Sequence, residues 1–204
     1  MEINIDLNNL ICDTFVDIAG DIINCEVDRA VLKGGRASTK SQVASECIIT
    51  GCMVYKESAV ACVRYGNKVF ERLVSTFSES IRYMGVEQFW KLRKSPFEYV
   101  LLDENGKETD VSIKFTGCDN PDDLKSYKPR RGNFRYVWFE ETATFDSMKS
   151  LNNLIQTFAR GGKCCVIMTY NPPMQSSNWV NKEFNSPRIK DNIIKRDGSC
   201  WYEY

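Results

Sequence analysis

The chain has 204 residues, enough for one well-buried domain and, by the usual size of domains, too few for two complete ones. Hydrophobic residues make up 43 % and charged residues 26 %, ordinary globular usage, while Lys+Arg and Asp+Glu balance at 27 each, so no global field draws the molecule to nucleic acid or anionic membrane. With no histidine, Ser-His and Cys-His catalysis and most zinc sites are excluded, which leaves chemistry to carboxylates, lysine, arginine, hydroxyls and a hard metal ion.

No apolar run has the length of a membrane span, and the start "MEINIDLNN" lacks the basic flank of a secretory signal, so the chain is expected to stay where it is made. Its nine cysteines form no C-x-x-C pair and fall mostly in apolar segments, which predicts buried thiols in a reducing compartment.

Along the chain, short apolar runs alternate with helical patterns, predicting an α/β fold with a mostly parallel sheet flanked by helices. "RAVLKGG" reads as strand then turn. The segment "KSQVASECIITGCMVYK" puts Val43, Ala44, Cys47, Ile48 and Gly51 on one helical face, a stripe expected to lie on the sheet. "SAVACVRYG" reads as a buried strand ended by Gly66. Phe70, Val74, Phe77 and Ile81 then recur at helix period up to about Tyr83. Residues 97–117 hold two apolar runs around "DENGK", an inserted β-hairpin. A polar, basic loop with Pro121 and Pro129 leads into the strand "FRYVWFEE". From Asp146, the spacing of Met148, Leu151, Leu154, Ile155 and Phe158 predicts a helix stopped by Gly161 and Gly162. "KCCVIMTYNPP" reads as a strand broken at Pro172, and "CWYEY" as a strand cut short. No repeat or linker divides the chain, so residues 1–204 read as one domain.

Three strand ends carry candidate chemistry. "GGRASTKS", Gly34 to Ser41, nearly spells G-x-x-x-x-G-K-[ST], with Thr39 where the second glycine belongs. A phosphate cradle needs inward backbone N–H groups at a helix N-terminus, here from Gly34, Gly35, Arg36, Ala37, Ser38 and Thr39. It also needs a lysine for the β- and γ-phosphates, Lys40, and a hydroxyl for Mg²⁺, Ser41. A Gly-Gly turn before a helix is the plain alternative. "FEE" ends its strand with Glu140 and Glu141; in a nucleotide hydrolase the first holds Mg²⁺ and the second activates water, whereas alone they are a solvated strand end. "TYNPP" brings Thr169 and Asn171 to the carboxyl edge where ligands of open α/β sheets bind, although Asn-Pro is also a turn signal. The order of the three on successive strands is what favours a site.

The series "KGGRASTKS", "VRYGNKVFERLVSTFSESI", "KFTGCDNPDDLKSY", "VWFEETATF" and "TYNPP" resembles the large subunit of tailed-phage DNA-packaging terminases, in the PBSX-like branch, from about residue 28 onward. That family's loop is typically GGRGSGKS, so Ala37 and Thr39 depart from it while Arg36, Lys40 and Ser41 are retained. The resemblance implies a P-loop ATPase fold of the additional-strand, catalytic-glutamate type, with "AVACVR" as the extra strand between loop strand and acidic strand in the sequence. It implies catalytic roles for Glu141, Lys40 and Arg36, Mg²⁺ on Ser41 and Glu140, and coupling of phosphate release through Thr169 and Asn171. ATP and Mg²⁺ are the implied cofactors. Double-stranded DNA, a portal protein and a small terminase subunit are the implied partners, in a homo-oligomeric ring at the portal vertex of a procapsid in the host cytoplasm, with no membrane. Such subunits usually carry a nuclease domain after the ATPase, for which this length leaves no room, so no nuclease activity is expected. Lys128, Arg130 and Arg131, with Lys125 and Arg135, read either as contacts to DNA or to a neighbouring subunit's site, or as a solvated loop balanced by Asp119, Asp122 and Asp123. Two alternatives stay open: another DNA-translocating or helicase-like ATPase, and a degenerate nucleotide-binding structural module, which Thr39 favours. "DIAGDIINCEVDR" offers no decisive adenine-contacting motif.

Overall fold

In the computed structural model the described residues are 10–11, 15–120, 124, 127–184, 194–196 and 199–203. In chain order the strands are β1 (Arg29–Lys33), β2 (Ser58–Val63), β3 (Trp90–Lys94), β4 (Phe97–Leu102), β5 (Glu108–Gly117), β6 (Phe134–Phe139), β7 (Cys165–Tyr170), β8 (Ile194–Arg196) and β9 (Ser199–Glu203). The helices are α1 (Val16–Asn24), α2 (Lys40–Tyr55), α3 (Ser75–Tyr83), α4 (Met148–Phe158) and α5 (Trp179–Phe184). All nine strands form one sheet in the order β3-β4-β5-β2-β6-β7-β1-β9-β8. From β5 to β9 the pairings are parallel; β3, β4 and β8 are the antiparallel strands at its margins.

Parallel strands need crossovers, and the crossovers put helices on both faces, so the central strands are buried throughout and read as continuous apolar runs. Alternation along each strand then divides the core. Leu32, Ala61, Tyr136, Trp138 and Ile167 meet α1, α2 and α3 on one face. Val31, Val60, Val137, Phe139 and Met168 meet α4 and α5 on the other. Six of the seven described cysteine side chains are buried, all seven as free thiols.

Several elements differ from the sequence expectation for identifiable reasons. The additional strand in space is β7, which lies between β1 and β6, whereas "AVACV" of β2 lies on the far side of β6. Helix α2 is buried nearly all round rather than along one stripe, because α1 and α3 both pack against it while it lies on the sheet. Phe70, expected in the core with Val74, is 55 % exposed. Residues Phe70–Val74 form a π-turn leading into α3, and its wider spacing turns Leu73 and Val74 inward instead. The hairpin around "DENGK" forms as expected, with Asp103 accepting from the N–H groups of Asn105 and Lys107. It is part of the main sheet, since the second half of β5 pairs in parallel with β2, and β3, which the sequence reading missed, extends it. Helix α4 starts at the Ser147 cap, whose side chain accepts from the Ser150 N–H.

One close approach sets the seat of α2 on the sheet. A Cβ at Gly51 would lie 1.9 Å from the Tyr136 hydroxyl. That hydroxyl donates to the Ile23 carbonyl at 2.5 Å and accepts from Arg135 Nε at 3.1 Å, tying α1, α2 and β6 together. Alanine normally stabilises a helix interior over glycine by about 1 kcal/mol. Here Gly51→Ala is expected to destabilise by about 2 kcal/mol or more through overpacking, read as a lowered urea midpoint at unchanged slope.

Candidate nucleotide site

The C-terminal edge of the parallel strands gathers the chemistry. Between β1 and α2, residues 34–39 fold into a tight loop anchored to β7 by the Gly34 N–H, which donates to the Tyr170 carbonyl at 3.3 Å. A Cβ on Gly34 would come within 2.8 Å of Ser38 Oγ, a contact that would push the Ser38 hydroxyl away from its present place beside Lys40. Ala37 and Thr39 both hold left-handed backbone, at φ 62° and 58°. These are the two positions where this chain replaces a glycine of the terminase loop pattern, and glycine adopts that conformation without strain. Thr39 Oγ1 donates to the Ser38 carbonyl at 2.8 Å, a local bond that helps hold the turn.

Lys40, 8 % exposed, turns its ammonium back over the loop. Its Nζ donates to the Gly35 carbonyl at 3.0 Å, to Ser38 Oγ at 3.0 Å and to Asn171 Oδ1, beyond the end of β7, at 2.8 Å. Burial lowers its pKa, and the nearby Glu140 charge opposes that shift. Ser41 Oγ donates to Glu140 Oε1 at 2.8 Å. The other oxygen of Glu140 accepts from Thr169 Oγ1, which in turn accepts from Trp138 Nε1 at 2.8 Å. An indole can only donate, so the single hydroxyl proton of Thr169 is directed at the carboxylate. Glu140 is 8 % exposed, and burial pushes its carboxyl above the ordinary range against the Thr169 and Ser41 hydrogen bonds, which favour the anion. The next residue, Glu141, sits in left-handed backbone at φ 53° and faces Arg72 Nη2 at 3.3 Å.

These groups line one cleft of about 570 Å³, with the loop on one wall, Glu140, Glu141 and Arg72 on another, and Thr169 and Asn171 at the end of β7. Arg36 also lines it. Ser41 and Glu140 offer adjacent hard oxygen atoms of the kind Mg²⁺ takes, and that small, strongly hydrated cation keeps waters and substrate phosphates as its remaining ligands. Among the described residues no group of three or more histidine, cysteine or acidic side chains is arranged to hold a metal by itself.

Arg130 and Arg131 do not line this cleft. Arg131 borders a separate cavity with Asp103, Glu108 and Asn133 at the edge where β6 begins, opposite the edge where it delivers Glu140. Arg130 is bound to the hairpin, 2.6 Å from the buried Glu98 and 3.7 Å from Glu108. Arg135, grouped with them in the sequence, is buried, paired with Glu57 at 2.8 Å and stacked 3.6 Å over the Tyr55 ring; a register shift between β2 and β6 skips it and breaks the alternation, so it shares the α1 and α2 side with Tyr136 and donates to the Asn24 carbonyl at 3.2 Å. Lys128 is exposed; Lys125, Asp122 and Asp123 fall outside the described residues. Sequence reading missed Arg72. Its signal was topological: β2 pairs directly with β6, so whatever follows β2 returns to the edge that carries Glu141.

A mostly parallel sheet with a strand inserted between the loop strand and the acidic strand defines an α/β domain of the P-loop NTPase type. The family model described as phage terminase large subunit matches residues 27–203, and the chain belongs to that family. It is 30 % identical over 169 residues to the terminase large subunit of Bacillus phage SPP1, covering 80 % of this chain and 39 % of that protein. Among solved structures, the bacteriophage Phi-29 viral genome packaging motor assembly superposes with a TM-score of 0.64 at 16 % identity, over 89 % of this chain and 55 % of the other. The HK97 bacteriophage large terminase gives 0.61 at 11 % identity, over 89 % and 38 %. The large terminase of the thermophilic bacteriophage D6E gives 0.62 at 11 %, over 82 % and 41 %. The chain thus spans well under two thirds of these relatives.

Left-handed backbone at Thr39 predicts a specific pair of stabilities. Thr39→Gly relieves the strain and Thr39→Ala does not, so the glycine variant is expected to be the more stable of the two by about 1 kcal/mol despite its more flexible unfolded chain. Equal urea midpoints for the two variants would contradict that backbone assignment.

Proposed function

We propose that this chain is an ATP-hydrolysing motor domain of a terminase large subunit, residues 1–204 forming the ATPase part, and that it drives double-stranded DNA into a procapsid. The observation that carries the reading is the Lys40 ammonium, drawn over the loop by three neutral acceptors from two strand ends, with the Ser41–Glu140 pair beside it in the same cleft. Neutral acceptors hold a buried ammonium in place without cancelling its charge, so triphosphate oxygens can replace them with a net electrostatic gain.

The residues then divide the work. The loop's backbone N–H groups from Gly34 to Thr39 cradle the phosphates, and Lys40 neutralises the β/γ oxygens. Mg²⁺, when bound with the nucleotide, neutralises charge building on those oxygens. Ser41 and Glu140 hold that ion, and Thr169 keeps Glu140 aimed at it. Glu141, on the cleft wall and oriented by Arg72, accepts the proton of the attacking water, while Arg36 stabilises the transferred phosphoryl group. Asn171, bonded to Lys40, relays loss of the γ-phosphate along β7. A degenerate, non-hydrolysing module gains no support from the loop, which takes up the glycine-like turn despite Ala37 and Thr39.

Family membership supports a wider role in a homo-oligomeric ring on the portal protein, working with the small subunit on double-stranded DNA in the host cytoplasm. Lys128, Arg130 and Arg131, none of which lines the cleft, are candidates for DNA or for a neighbouring subunit. An arginine supplied across a ring is worth roughly 10³–10⁵ in turnover, so the isolated chain is expected to hydrolyse slowly.

The test is nucleotide binding and phosphate release by the full chain with Mg²⁺. Glu141→Gln is expected to bind ATP as the parent does and to lose at least about 100-fold in turnover. Lys40→Ala is expected to weaken binding itself. Parent-like turnover in Glu141→Gln overturns the catalytic assignment, and unchanged binding in Lys40→Ala overturns the loop assignment.

A further inference from the structure

Next to the phosphate cleft lies a smaller cavity of about 330 Å³. Leu10, Ile11 and Tyr83 give it apolar walls, Glu46 lies in its lining, and Thr39 and Gln42 border both cavities. The two are therefore consecutive along the first turns of α2, and a ligand gripped by phosphates at the helix N-terminus reaches the second with its other end. Its size is at the lower end of the range for small-molecule subsites, and its lining mixes apolar and polar groups in similar measure.

Glu46 is the unusual element of that wall. It has no exposed surface, in the middle of a helix that packs against the sheet. One carboxylate oxygen accepts from Gln42 Nε2 at 2.9 Å; the other, Oε2, is buried with no hydrogen-bond partner. Ser45 and Ser80 bond each other at 2.6 Å, and Thr50 Oγ1, one turn further along α2, is likewise buried without a partner. Burial pushes the carboxyl up to about 6, against the Gln42 bond, so at neutral pH it is mainly the anion, an acceptor lacking a donor. Leaving such a group unsatisfied is costly, which favours a donor that arrives with a ligand.

We propose that this cavity takes the base of the nucleotide and that Glu46 reads it as adenine, Oε2 accepting from the 6-amino group while the second N–H of Gln42 donates to an adjacent ring nitrogen. The inference rests on the phosphate-site reading above. Acceptor beside donor is the pattern that adenine's edge completes. Guanine presents a carbonyl at the 6 position, which would face the carboxylate. Its own pair of donors needs two free acceptor oxygens, and Gln42 occupies one. Leu10, Ile11 and Tyr83 supply apolar surface for a flat ring.

The experiment is equilibrium binding of ATP, GTP, purine riboside triphosphate, which lacks the 6-amino group, and inorganic tripolyphosphate, all with Mg²⁺, to the full chain. A hydrogen bond to a charged acceptor predicts that the parent prefers ATP over purine riboside triphosphate by roughly tenfold or more. Glu46→Met replaces the buried charge by an apolar side chain of similar length and is expected to melt no lower than the parent, to bind tripolyphosphate unchanged and to bind the two triphosphates equally. Glu46→Gln, which keeps shape and an acceptor, is expected to retain part of the preference and covers the case in which the methionine variant does not fold. An ATP preference that survives intact in the variants, its absence in the parent, or a parent that prefers GTP overturns the base reading and leaves the phosphate site standing. A parent that binds none of the phosphate compounds overturns the phosphate site, and this inference with it.

Discussion

A carboxylate that has lost its water must be satisfied by protein, and Glu140, 8 % exposed at the end of β6, is the group around which the edge of the sheet is organised. One oxygen is met by Ser41 at the start of α2 and the other by Thr169 near the end of β7. Its own N–H donates to the Cys62 carbonyl of β2 at 2.9 Å. The parts of the chain that must cooperate in the cleft are therefore joined through one residue. Trp138 extends the arrangement into the core, because its indole fixes which way the Thr169 hydroxyl points. Desolvation that raises the Glu140 pKa is also what makes nearby positive charge favourable there.

That arrangement is available only because β1, β7, β6 and β2 run parallel and end together. Insertion of β7 between β1 and β6 widens the cleft by a strand and places Thr169 and Asn171 between the lysine and the acid. Asn171 bonds Lys40 and Thr169 bonds Glu140, so the inserted strand bridges the two halves of the site. Packing below the edge keeps the strands in register: Tyr136 fills the space that Gly51 leaves on α2, and Phe77 of α3 meets the Trp138 ring edge-on at 5.7 Å.

Continuous buried runs and their punctuation were enough to read β1, β2, β6 and β7, because strands covered on both faces carry no polar alternation to confuse the pattern. Glu140, Thr169 and Asn171 were readable for the same reason, each at or just beyond a strand end, while Lys40 and Ser41 stood out through the near-match to G-x-x-x-x-G-K-[ST]. Strand order was not. Nothing local in "AVACVR" or "VIMTY" says which of them lies beside "RAVL", since both are equally apolar and the choice is made by pairing across more than a hundred residues. Phe70 was misread because a π-turn leaves no mark in hydrophobic spacing. Glu46 was not singled out, because the spacing gave α2 a single buried stripe; the packing of α1 and α3 against α2 buries it as well.

Backbone strain falls where the chemistry is. Five non-glycine residues among those described have positive φ: Cys25, Ala37, Thr39, Lys56 and Glu141. Cys25 and Lys56 terminate α1 and α2, where a left-handed residue closes the last turn and its N–H returns to the helix. The other three all line the cleft. None of the three closes a helix in that way: the strain at Ala37 and Thr39 turns the loop back toward the helix N-terminus, and at Glu141 it takes the carboxylate out of the line of β6 and toward Arg72. Without that turn, strand alternation would send Glu141 to the opposite face of the sheet from its neighbour, into the layer occupied by Phe139 and Phe145. The left-handed step is thus what allows two consecutive acids to share one cleft while only the first of them is buried.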